Sequence, residues 1–184
     1  FFLFGLLGLL DPDRVIGDFG CGSGALSEAL APFVRRIIAV DDSDAMLGEA
    51  RERLRRFDNV DLRRGALESL PLEDASLDAA TLVLVLHHLP DPDAAIREVA
   101  RCLRPGGRLL IVDMLPHDRQ EYRQQMGHVW MGFSADRIEP MLERVGFADS
   151  RFLELPVDPA AKGPSLFATT ATRGARTSHE TEAV

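Results

Sequence analysis

Two cysteines in 184 residues are too few for a disulfide framework or a zinc constellation. One, Cys21, sits in a glycine-rich turn and the other, Cys102, in an expected helix, so a reducing cytoplasm is the default compartment. Basic charge is also short: 21 Lys and Arg face 29 Asp and Glu, a net charge of −8. That excludes an extended nucleic-acid surface, because phosphate binding needs a basic face; a local basic groove stays open. No apolar run reaches the roughly 20 residues of a membrane span. The most apolar piece, Phe1–Leu10, lacks both a basic leader and a small-residue cleavage site. It reads as the end of a helix packing on the domain, with upstream residues missing because the chain opens on Phe. Without its partner helix it can bury itself against a neighbour, which makes a homodimer an expectation. What remains is ordinary globular composition, 46% hydrophobic and 27% charged, and a length that suits one domain.

The chain is organised around Val15-Ile16-Gly17-Asp18-Phe19-Gly20-Cys21-Gly22-Ser23-Gly24. A short apolar run ends beside a carboxylate, glycines alternate with small residues, and a helical pattern follows. This is the layout of a buried strand, a tight turn and a helix N-terminus on which α/β folds hold nucleotide-like ligands. Side chains in the turn would keep the backbone away from the ligand, and some positions need positive φ. Gly20-x-Gly22-x-x-Ala25, with Asp41 about 20 residues on, also satisfies the loose dinucleotide fingerprint. Cys21 reads as a small residue tolerated in the turn rather than a nucleophile.

Around that loop the chain alternates. Strands are expected at 14–19, 36–40, 59–64, 77–86 and 108–113, with helices after Ser23, Ser43 and Asp91-Pro92. The second strand ends in Asp41-Asp42, and its helix carries Met46, Leu47, Ala50 and Leu54 at helical spacing. Pro105-Gly106-Gly107 is expected to end the third helix. This order predicts a doubly wound, mostly parallel sheet. From Pro116 to Phe133 the pattern changes to aromatic, sulfur and basic side chains, suited to a wall over the active-site edge. A helix opening at Ser134 and stopped by Gly146 follows, then two closing strands at 151–155 and 166–170. Residues 1–171 form the domain, and 172–184 read as a disordered tail.

Four features in order, the glycine loop, the acid ending the second strand, the Leu86-His87-His88-Leu89-Pro90-Asp91-Pro92 exit and the Leu103-Arg104-Pro105-Gly106-Gly107 turn, resemble the class I S-adenosylmethionine-dependent methyltransferases. Two further segments, Asp113–Arg119 and Gly127–Ser134, resemble bacterial methyltransferase domains fused behind arsenic-repressor-type winged-helix regulators. The resemblance implies a Rossmann-like seven-stranded sheet with an antiparallel last strand, and S-adenosylmethionine as cofactor. It implies that Asp18 and the backbone of Gly20, Cys21, Gly22 and Gly24 hold the methionine portion. Asp41 takes the ribose hydroxyls, Asp42 and Met46 line the adenine side, and Gly65, Ala66 and Leu67 flank the ring's other face. Leu82, Val83 and Leu84 close the pocket. The family commonly has an acid where Ala66 stands; Ala66 offers only backbone.

The implied function is methyl transfer to a small-molecule acceptor by in-line displacement, in the cytoplasm, with no membrane partner and with a winged-helix regulator as a fused or separate partner. His87 and His88 are the candidates for orienting or deprotonating the acceptor, against a packing role at a strand end. His88, His117, His128 and Trp130 are the substrate-side candidates. His117 and His128 have no fixed metal-ligand spacing and no cysteine pair beside them, so no metal site is expected. A non-catalytic sensor of the cofactor, and a nicotinamide enzyme resting on the loose fingerprint, are the rival readings.

Overall fold

The run Val15–Phe19 forms β1, and every residue of it is buried, as a strand covered on both faces requires. In the computed structural model, which describes residues 11–157 and 163–175, β1 is an interior strand of a seven-stranded sheet, beside the central one. The Phe1–Leu10 segment, and with it the expected helix end and dimer contact, lies outside the described residues. Chain order then gives α1 (Ala25–Leu30), β2 (Arg36–Asp41), α2 (Asp44–Leu54), β3 (Val60–Arg64) and β4 (Leu77–Val83). The remainder is α3 (Pro92–Cys102), β5 (Leu103–Met114), α4 (Gln120–Met126), α5 (Ala135–Arg144), β6 (Phe147–Glu154) and β7 (Leu166–Arg173).

The strand order is β3-β2-β1-β4-β5-β7-β6. β1 to β5 pair in parallel, and β7 runs antiparallel to both β5 and β6. This is the Rossmann-like, doubly wound architecture that the strand–helix alternation predicts. Both faces are covered. Phe19, Val40, Leu82, Leu86, Ile96 and Ile111 belong to one buried cluster, and Ile16, Ile37, Ala39 and Leu47 to the other. The order in which strands are added reverses between β1 and β4, the switch point where open α/β sheets bind ligands at their carboxyl ends. Among the described residues no helix is long and apolar enough to cross a membrane.

Several boundaries differ from the sequence reading. β4 stops at Val83 because Leu84 turns to a φ of +55°, and Leu86–His88 form a 3₁₀ turn instead of extending the strand. Gly24, at φ +79°, occupies the cap of α1, and no side chain caps that helix, so Ser23 does not. Ser43 does cap α2, its hydroxyl accepting from Met46 N–H at 3.4 Å, and Asp91 caps α3 by accepting from Ala94 N–H at 3.0 Å. The Pro-Gly-Gly stretch is the start of β5: Leu103 already pairs with Leu77, with a register shift before Ala79. Residues 120–126 form a helix within the wall segment. β6 begins at Phe147, and β7 runs to Arg173. Thr172 and Arg173 are therefore paired strand, not tail; 176–184 lie outside the described residues.

Candidate functional site

The glycine loop is stapled to the second strand before any ligand enters. Gly20 and Cys21 both donate to Val40 C=O, at 2.8 and 3.1 Å. Gly22 N–H donates to Asp41 Oδ2 at 2.8 Å, while Asp41 Oδ1 accepts from Ser43 N–H at 3.0 Å. The Asp41 carboxylate is thus fixed by two backbone donors at the end of β2, with lone pairs left for further donors. Gly20, at φ +71°, has no room for a side chain: a Cβ would lie 2.4 Å from Val85 Cγ2. Gly22, at φ +53°, would meet nothing within 4 Å, so its open side faces free space.

A cleft of about 390 Å³ opens there, within the ~300–1,000 Å³ typical of small-molecule sites. Gly20 and Gly22 line it together with Asp41, Asp42 and Met46 after β2, and Gly65, Leu67 and Glu68 after β3. Leu84, Val85, His88, Leu89 and Pro90, all on the exit from β4, close it. Leu84 is half-exposed and in the left-handed region, and its N–H donates to Val112 C=O at 2.8 Å. A strained bulky residue held at a ligand wall is the kind of outlier that clusters at functional sites.

Six of the fourteen cofactor candidates lie outside the cleft lining. Asp18 is 2% exposed; its carboxylate accepts from Ser27 Oγ at 2.6 Å and Thr81 Oγ1 at 3.0 Å. It braces the loop from below, and burial raises its pKa above the usual carboxylate value. Cys21 is buried, and that burial, reinforced by Asp18 and Asp41, pushes its thiol up to about 12, so it is no nucleophile at neutral pH. Gly24 is a packing position: a Cβ would approach Leu54 Cδ1 to 2.8 Å. Leu82 points into the core, fully buried, and Val83 and Ala66 do not line the cleft. Sequence reasoning missed Glu68, Val85, Leu89 and Pro90. Glu68 was legible in principle, as the acid nearest Ala66, the position where an acid is commonly found.

Beyond the exit from β4, the fold gathers histidines from three places. The His87 carbonyl accepts from Val129 and Trp130 N–H at 2.8 and 3.1 Å, and Trp130 Nε1 donates to Leu89 C=O at 2.8 Å. The 127–130 loop is thereby fastened across the turn. His87, His88 and His128 cluster with ring centroids 4.1 to 5.1 Å apart, tilted or edge-on to one another. His117 stands 6.4 Å from His128. His87 Nδ1 contacts Asp113 Oδ1 at 2.7 Å, both groups buried. Burial, then the neighbouring rings, lowers His128 to about 4. His88 and His117 are lowered too, each chiefly by burial. No spacing in the sequence joins His117 to His128; the structure makes a trio of His87, His88 and His128 and leaves His117 at its edge. Trp130 packs on Phe133 and under the Arg137 guanidinium, 4.1 Å from its ring centroid, as part of the wall.

The chain is similar to known proteins in sequence and fold. The chain is 41% identical over 96 residues to a ubiquinone biosynthesis O-methyltransferase of Xanthomonas oryzae, covering 51% of this chain and 40% of that protein. It is 40% identical over 108 residues to a 2-phytyl-1,4-naphtoquinone methyltransferase of Synechococcus elongatus, covering 55% and 46%. The chain spans less than half the length of the curated relatives it matches. The crystal structure of the YcgJ protein from Bacillus subtilis superposes with a TM-score of 0.77 at 22% identity, over 94% of this chain and 98% of that one, which shows the fold. The methyltransferase-domain family model matches residues 17–111, more than half of the chain and every strand edge of the cleft, and the protein belongs to that family.

Proposed function

We propose that the protein transfers a methyl group from S-adenosylmethionine to a small-molecule acceptor. The observation that carries this is the Asp41 carboxylate, pinned by Gly22 and Ser43 N–H beside glycine backbone that opens on free space at Gly22. The donor set fits the group: a fixed acceptor for the ribose diol, bare backbone for close approach, and apolar faces from Met46, Leu67 and Leu84 for a flat base. When bound, S-adenosylmethionine supplies an electrophilic methyl on a cationic sulfur, for in-line displacement.

The chain's own residues do the positioning. Asp41 accepts from the ribose hydroxyls, a charge-assisted pair of bonds. Glu68 takes the place of the acid absent at Ala66 and accepts from the exocyclic amino group of the base. Gly20 and Gly22 let the chain approach closely, Asp18 holds their loop without touching the ligand, and Val85 fixes where the loop ends. His88, on the cleft wall, faces the acceptor side, where holding nucleophile and methyl close supplies much of the rate. Burial of the ring lowers its pKa, which favours an imidazole with a lone pair to offer. A small acceptor fits a cleft of this size and an acidic chain, and it agrees with the names of the two quinone-pathway relatives. Two buried free thiols suit a reducing cytoplasm, and the Asp113–Arg119 and Gly127–Ser134 segments support a place beside a winged-helix regulator.

Titration calorimetry with S-adenosylmethionine and with its demethylated product tests the reading. One site per chain, abolished by Asp41→Ala, supports it. Absence of heat with both compounds, or binding indifferent to Asp41→Ala, contradicts it, and fluorescence on adding NADH would replace it with the nicotinamide reading.

A further inference from the structure

Four of the sequence's five histidines meet on one side of the cleft mouth, although they are spread over 42 residues of chain. Packing alone explains them poorly. His128 is 4% exposed, and its Nδ1 is buried without a hydrogen-bond partner among the described residues. Buried polar atoms are nearly always satisfied, and an orphan asks for a missing partner. His117 Nε2, at the edge of the group, is a second orphan.

His87 has the complementary arrangement. Its Nδ1 faces Asp113, a carboxylate with no exposed surface that also accepts from Met114 N–H at 2.7 Å. With Asp113 as acceptor, Nδ1 carries the hydrogen and Nε2 the lone pair. A buried carboxylate behind a histidine is the usual outer support of a metal-bound imidazole, fixing its tautomer and raising its basicity. His88 is exposed on the cleft wall, so its ring is open to a ligand. One nitrogen from each of His87, His88 and His128 lies within 4.8 Å of the others. Zinc–nitrogen bonds of about 2.0–2.1 Å at a tetrahedral angle put ligand atoms ~3.4 Å apart, so a closing shift of at most ~1.4 Å completes the set. His88 is exposed and can supply most of it.

We propose that His87, His88 and His128 bind a divalent transition-metal ion of zinc's class, with Asp113 as the supporting carboxylate. The ligands are all imidazole, which suits zinc, cobalt, nickel or copper rather than magnesium or calcium. Three protein ligands leave coordination open, as in catalytic rather than structural zinc sites. His88 belongs both to the trio and to the cleft wall, so the open position adjoins the proposed acceptor side. An oxygen or sulfur of the acceptor would occupy it; that last step rests on the methyl-transfer reading, whereas metal binding stands without it.

The test is titration of chelator-treated protein with zinc chloride by calorimetry, and with cobalt chloride by visible absorption. The expected result is one ion per chain, with a cobalt spectrum of nitrogen ligation. His88→Ala, at an exposed position, keeps the fold and weakens binding at least ~10-fold, and His128→Gln does the same, in line with the ~10–100-fold that even outer-support changes cost. Asp41→Ala leaves metal uptake unchanged, which separates this site from the cofactor cleft. If the parent takes up no ion, or His88→Ala and His128→Gln bind it as tightly as the parent, the cluster is a packing device and the proposal is overturned.

Discussion

The two sides of the cleft mouth are built on opposite plans. On the side of β1 and β2, a carboxylate is fixed by backbone donors, the residues lie close together in sequence, and a backbone amide stands beside each functional group. On the side of β4 and β5, imidazoles from positions 87, 88, 117 and 128 meet only because the loop at 127–130 is fastened across the turn at His87. The family model ends at residue 111, before His117 and His128. The contrast teaches that the ligand-holding half is a property of one local strand–turn–helix unit, while the acceptor-facing half depends on a distant segment docking correctly.

The sharpest break between the sides comes from Asp41→Ala. Two bonds to a charged acceptor, at about 1.5–3 kcal/mol each, imply a loss of at least ~100-fold in S-adenosylmethionine affinity; calorimetry reads it, and histidine-side metal uptake stays as it was. Next in size is Gly20→Ala. It combines a left-handed φ with a contact of 2.4 Å to Val85, so a loss of about 2–3 kcal/mol is expected by chemical denaturation. Gly22→Ala has the same strain without the clash and costs about 1 kcal/mol.

That pair of glycines also shows what the sequence could convey. Local chemistry was readable: the strand–glycine–helix unit, Asp41 at a strand end, Ser43 and Asp91 as caps, and the alternation that makes the sheet doubly wound. Each is set by neighbours within a few residues. Leu82, Val83 and Asp18 were read as ligand-facing because the motif gives the position of a residue and not the side on which it is buried. The turn of Leu84 to positive φ, which ends β4 early, leaves no mark in an unbroken apolar run. The histidine trio was illegible for a different reason: no spacing rule links residue 87 to residue 128, and only β5, α4 and the wall loop bring them together.

A pH profile probes the histidine side through His128. His128 is held at about 4, below its ordinary 6.5, so the unfolded chain binds a proton that the metal-free fold refuses. Stability is therefore full above about 6.5 and falls as pH drops toward about 4. His87, His88, His117, Tyr122 and Asp113 face the same ring. Denaturant melts of chelator-treated protein at stepped pH read the effect, and His128→Gln makes the profile shallower, with His88 and His117 supplying what slope remains. The smallest effect belongs to the carboxylate side again: Glu68→Gln keeps an acceptor but removes the charge, so cofactor affinity drops by about 3-fold or ~0.7 kcal/mol, measurable in the same calorimeter.

The most direct test is a crystal structure grown with S-adenosylhomocysteine and a zinc salt. The ribose is expected against Asp41, with the base between Met46 and Leu67 and one anomalous peak among His87, His88 and His128. Nucleoside density elsewhere, or a cleft beside Gly22 filled by the chain itself, would contradict the division of the mouth into a carboxylate side and a histidine side.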